Sequence, residues 1–109
     1  MTMGLVAIGQ EMKQRLAGVQ KGHVSRALFG GLILVLERRG QRWRLAVGRS
    51  SAPPSKVEAE IVARDFGLPA GVEWHWTSRK NTKKKVTYQV AECEWQEGVG
   101  DEQTQKIMD

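Results

Sequence analysis

The chain has 109 residues, 40% of them hydrophobic and 27% charged, which is enough for one modest core and too few for two. Its formal net charge of +5 and isoelectric point near 9.7 point towards an anionic partner and carry no information about fold. The longest strongly apolar run, Leu32 to Leu36, is far too short to cross a bilayer, so a membrane protein is not expected.

The charge is unevenly placed. From Glu92 onwards there are six acids and one base, Lys106, which leaves residues 1–91 with sixteen bases and six acids. The folded part is therefore expected to be more basic than the whole, followed by an acidic, disordered tail over 97–109. Cys93 is the only cysteine, so no intramolecular disulfide is possible and a reducing compartment suits the chain. The short apolar stretch from Leu5 to Ile8 lacks the h-region of a signal peptide. A cytoplasmic protein is the expectation.

Ile8, Met12, Leu16 and Val19 form a helical stripe, so residues 1–27 are read as an N-terminal segment with a possible short helix over 7–20. Gly9 and Gly18 weaken that helix by about 1 kcal/mol each relative to alanine. Gln20 to Arg26 reads as a connection. Leu28 to Glu37 reads as a first strand, its run from Leu32 to Leu36 apolar on both faces and thus expected to be covered on both sides. Gly30-Gly31 marks a bend or bulge. Arg38 to Gln41 forms a turn, and Arg42 to Arg49 returns as a second strand with Trp43, Leu45 and Val47 on one face.

Ser55-Lys56-Val57-Glu58 matches a capping box. The helix it opens should run to about Phe66, with Val57, Ile61, Val62 and Phe66 as its apolar positions, Ala59 and Ala63 beside them, and Gly67 as its C-terminal stop. Val72 to Ser78 reads as a third strand and Val86 to Trp95 as a fourth. The apolar phase changes between Val86, Tyr88, Val90 and Ala91, Cys93, Trp95, which predicts a bulge near Val90-Ala91. The resulting fold class is α+β: a four-stranded antiparallel sheet (ββαββ, residues 28–96) with one helix packed on one face and the possible extra N-terminal helix.

Two basic groups stand out. Between the third and fourth strands, five of the seven residues Arg79, Lys80, Asn81, Thr82, Lys83, Lys84 and Lys85 are cationic. They read as the charged tip of a β-hairpin whose lysines neutralise phosphates while Asn81 and Thr82 add hydrogen bonds. Arg38, Arg39, Arg42, Arg44 and Arg49 form the second group. If the helix covers the Trp43 face, Arg42 and Arg44 project from an open one, and their planar forks suit phosphate. Cross-strand pairing with Glu73 or Glu92 is the competing expectation for that face.

The remaining polar residues suggest no chemistry. Trp43, Trp74, Trp76 and Tyr88 follow the apolar phase of their strands and are expected in the core. His23, His75 and Cys93 have no metal-ligand spacing, no phosphate-binding glycine loop is present, and neither an enzyme nor a cofactor is expected. The sequence thus suggests a small basic nucleic-acid-binding protein for DNA or RNA, contacting the backbone with both basic groups. A two-stranded ribbon also fits the major groove of DNA. The alternative is a protein-binding inhibitor or adaptor from a phage or mobile element, acting on a host nucleic-acid machine. Homo-oligomerisation through a strand edge is compatible with either.

Overall fold

The computed structural model describes residues 4–97. The expected tail beyond Glu97 lies outside the described residues. The α+β class and the antiparallel sheet are as expected, but the sheet has five strands and carries two helices. In chain order these are α1 (Leu5–Ala17), β1 (Lys21–Ala27), β2 (Ile33–Arg39), β3 (Arg42–Arg49), α2 (Lys56–Phe66), β4 (His75–Asn81) and β5 (Val86–Gln96). The strand order is β1-β2-β3-β5-β4, and every pair is antiparallel.

The fifth strand is β1, the segment expected to be a connection. It pairs with β2 from Lys21↔Arg39 to Ala27↔Ile33. It was illegible for a physical reason: on an edge, Gly22, Val24 and Arg26 form its half-buried phase, and only Val24 of the three is a hydrophobe. A short turn, Phe29–Gly31, separates the two strands, so β2 begins at Ile33 rather than Leu28. The helix and strand before residue 28 share one core and one sheet with the later described elements.

Both helices cover the same face. Ile8, Met12 and Leu16 of α1 and Val62 and Phe66 of α2 join Leu34, Leu36, Trp43, Leu45, Val47 and Cys93 in one core. The expected α1 stripe is real as far as Leu16; Val19 lies beyond the helix and is exposed. Gly9 sits where α2 comes closest, and a Cβ there would lie 3.1 Å from the Phe66 ring and 3.3 Å from its Cα. The helix-propensity cost of this glycine is thus offset by close helix packing.

The expected capping box of α2 is present in both directions, Ser55 Oγ accepting from the Glu58 N–H and Glu58 accepting from the Ser55 N–H. Gly67 ends the helix in the left-handed region, with φ 80°. The buried face, however, is Ala59, Val62 and Phe66. Val57 and Ile61, though apolar, fall outside that i, i+3, i+7 arc and are 63% and 37% exposed.

Strand β5 contains no bulge. Its register with β3 runs unbroken from Arg42↔Gln96 to Arg49↔Gln89, and with β4 from His75↔Glu92 to Asn81↔Val86. The two apolar phases belong to two faces of one regular strand. Ala91, Cys93 and Trp95 lie beside Val47, Leu45 and Trp43 under the helices, whereas Val86, Tyr88 and Val90 point to the other side. The same holds for β2: Leu34 and Leu36 are buried, but Ile33 and Val35 are only half-buried, because no element covers that face.

Candidate nucleic-acid interface

The β4–β5 hairpin reaches past the rest of the sheet. Strand β3 ends its pairing at Gln89, so the last three β4–β5 pairs, Arg79↔Tyr88, Lys80↔Thr87 and Asn81↔Val86, form a two-stranded arm about 10 Å long. β4 itself begins at His75 rather than Val72 and continues to Asn81, which carries Arg79 and Lys80 into the ladder. Asn81 shapes the tip: its Oδ1 accepts from the Lys84 N–H at 3.1 Å, an Asx-type closure. Lys85 leaves the turn with φ 55°.

The expected basic residues divide into three groups by their partners. Arg38 and Arg49 are engaged in the fold. Arg38 Nη1 donates to the Leu16 and Ala17 carbonyls at 2.8 and 2.7 Å, Nε donates to the Gly40 carbonyl at 2.9 Å, and Nη2 pairs with Glu97 at 3.1 Å. Its guanidinium also lies over the Trp43 ring, 4.9 Å from the centroid, and its side chain is 11% exposed. A cation at the C-terminal carbonyls of α1 opposes the negative end of the helix dipole. Lys13 serves α2 in the same way, donating to the Phe66 carbonyl at 2.7 Å; burial pulls its pKa below the usual lysine value. Arg49 pairs with Glu58, whose carboxyl is held below the usual range first by the Ser55 backbone N–H and then by Arg49.

The second group forms a chain of ion pairs across the open face. Arg79 donates to both Glu92 oxygens at 2.8 and 3.1 Å. Glu92 lies 3.7 Å from Arg44, Arg44 lies 3.6 Å from Glu37, and Glu37 lies 3.6 Å from Arg39. The expected alternative of Arg44 pairing with Glu92 is therefore realised. The third group is Arg42, Lys80, Lys83, Lys84 and Lys85. None of these takes part in an ion pair among the described residues, and apart from Asn81 at its base the whole tip is exposed.

The arm borders a groove of about 670 Å³ on the uncovered sheet face. Lys80, Lys83 and Lys84 line one side together with Asn81 and Thr82, and the floor is Ile33, Val35, Ala46, Gly48, Tyr88 and Val90. Sequence reasoning did not single out these floor residues. Their signal is the double-sided apolar pattern of β2 and β5, from which cover on both faces is expected for β2 and a bulge for β5.

The aromatic expectations hold in part. Trp43 is buried and stacks on Trp95, with centroids 6.4 Å apart and planes inclined by 9°. Trp74 packs against the core. Trp76 does not: on edge strand β4 it is 46% exposed, with its Nε1 donating to the Pro54 carbonyl at 2.9 Å. Tyr88 is on the open face. Cys93 is buried, and desolvation pushes its thiol up to about 12. Among the described residues no group of three or more His, Cys, Asp or Glu is placed to hold a metal, and no helix is long and apolar enough to cross a membrane. The chain matches no protein-family model, no curated protein and no solved structure closely enough to indicate kinship.

Proposed function

We propose that this protein binds nucleic acid through the cationic β4–β5 arm. The observation that carries the reading is the contrast in partners. Lys80, Lys83, Lys84 and Lys85 crowd the end of a projecting ribbon with no acidic side chain among the described residues paired to them, while most arginines of the other hairpin are paired internally. Clustered like charges repel one another until an anion neutralises them. A polyphosphate backbone suits such a cluster, because each contact also releases condensed counterion. In this reading Arg42 adds a contact, Arg39, Arg44 and Arg79 act as a reserve held by Glu37 and Glu92, and Arg38 and Arg49 keep the scaffold in shape.

The test is fluorescence anisotropy with labelled single-stranded DNA, duplex DNA and RNA over a salt series, comparing the wild type with a variant carrying glutamine at positions 80, 83, 84 and 85. Saturable binding with a steep salt dependence is expected. The variant should reduce the slope of log affinity against log salt by up to about 3, from roughly 0.7–0.9 per phosphate contact. Equal affinity and equal slope for both proteins would sink the assignment of the arm. Absence of binding at low salt would overturn the nucleic-acid reading and favour an acidic protein surface as partner.

A further inference from the structure

The groove beside the arm is built from two chemistries that a duplex cannot use together. Its rim is cationic, with Lys80, Lys83 and Lys84, and its floor is apolar, with Ile33, Val35 and Val90 around Tyr88. From β3, Arg44 lines the groove beside Glu92, and the floor beyond it is Ala46 and Gly48. These are the smallest side chains available, set between Val35 and Ile33 on one neighbouring strand and Glu92 and Val90 on the other. The result is a shallow trough along β3, flanked by the apolar Val35, Ile33 and Val90 and, at one end, by Glu92. A sheet face meant only for water would alternate to polar residues here, as β3 itself does at Arg42 and Arg44.

We infer that this trough seats the unstacked bases of a single-stranded nucleic acid while the arm lysines hold its phosphates, an inference that rests on the nucleic-acid reading above. Charge complementarity at the rim selects a polyanion. The floor then selects among polyanions: a duplex keeps its base faces stacked inside and offers the groove only phosphate and sugar, whereas a single strand offers flat apolar rings. Tyr88 is the aromatic side chain on the floor and its stacking surface. At the other end Glu92 already occupies Arg79 and Arg44, so the strand should run along the side of the unpaired lysines.

The experiment compares three labelled ligands of one length on the full chain: an oligothymidylate, an abasic oligomer with the same number of phosphates, and a duplex. The oligothymidylate should bind about tenfold tighter than the abasic oligomer, the scale of one or two stacked bases. Tyr88→Ala should remove most of that difference, and Tyr88→Phe should keep it. Neither should change affinity for the abasic oligomer. Because the base-versus-abasic comparison is made on the wild type, it stands even if Tyr88→Ala fails to fold. Equal binding of all three ligands, with equal salt dependence, would overturn the trough and leave the arm as a backbone clamp. Failure of all three to bind would overturn the nucleic-acid reading itself, and capture of an acidic apolar peptide in their place would assign the groove to a protein.

Discussion

The two basic hairpins of this protein look alike in sequence and behave oppositely in the fold. Both are antiparallel, both turn at a polar loop, and each carries five cations. In β2–β3, Arg38 caps a helix, and Arg39 and Arg44 sit beside Glu37; Arg49 at the far end of β3 is tied to α2 by Glu58. In β4–β5, only Arg79 has an acidic partner among the described residues. The difference lies in position. The β2–β3 hairpin is flanked by strands on both sides and approached by helix ends, so its long side chains find carbonyls and carboxylates. The end of β4–β5 overhangs the sheet, where no carboxylate among the described residues pairs with its lysines. Density of positive charge in a sequence therefore does not separate cations engaged in the fold from cations left free for a partner; their internal contacts do.

The comparison breaks most visibly at Arg38. Arg38→Ala should destabilise the fold by about 3 kcal/mol, since charged hydrogen bonds to three backbone carbonyls and the contact over Trp43 are lost together. Urea unfolding measures this, and the folded fraction should bind oligonucleotide as the wild type does. Substituting the four arm lysines should give the mirror result, with binding reduced and stability unchanged to within about 0.5 kcal/mol. If Arg38→Ala instead weakened binding without touching stability, the division of labour between the hairpins would be wrong.

A smaller effect is expected at the junction of the two halves, where Glu58 holds both Ser55 and Arg49. Its carboxyl pKa is lowered in the folded protein. It therefore contributes stability that is fully present above the unfolded-state pKa, near 4.3, and that is lost as pH falls through the lower folded value. Ser55→Ala should cost about 1 kcal/mol at neutral pH. Glu58→Gln should flatten the acid limb of a stability–pH profile. An acid limb identical in Glu58→Gln and wild type would show that other carboxylates govern it.

What the sequence made legible were the elements with local chemistry. The capping box and terminal glycine of α2 were readable because side chains within four residues of one another make those contacts. The β2–β3 turn and the Arg79–Lys85 tip were readable because turn chemistry is also local. β1 was missed because an edge strand with a single inward hydrophobe has no period to detect. The bulge predicted in β5 and the double cover predicted for β2 share one error, the assumption that an apolar residue in a strand must lie under another element. Ile33, Val35 and Tyr88 are half-buried with no described element over them, and together with the buried Val90 they line the floor of the groove. The partners of Arg38 lie about twenty residues back, at Leu16 and Ala17, and no local pattern announces contacts at that separation.

The finest test of the comparison converts a paired arginine into an unpaired one. Glu92→Gln keeps an acceptor of the same shape beside Arg79 and Arg44 but removes the charge that holds them. The Glu92 side chain is only 13% exposed, but the glutamine keeps an acceptor and both arginines stay partly solvated, so stability should change by no more than about 1 kcal/mol. Binding should strengthen roughly two- to threefold, and the salt slope should steepen by up to about 1 as a further cation meets phosphate. The direction of change is what matters. If lack of an internal partner is what makes a cation available, releasing Arg79 must increase affinity. A decrease would mean that Glu92 holds Arg79 in the orientation used for binding, and that the paired arginines belong to the interface alongside the free lysines.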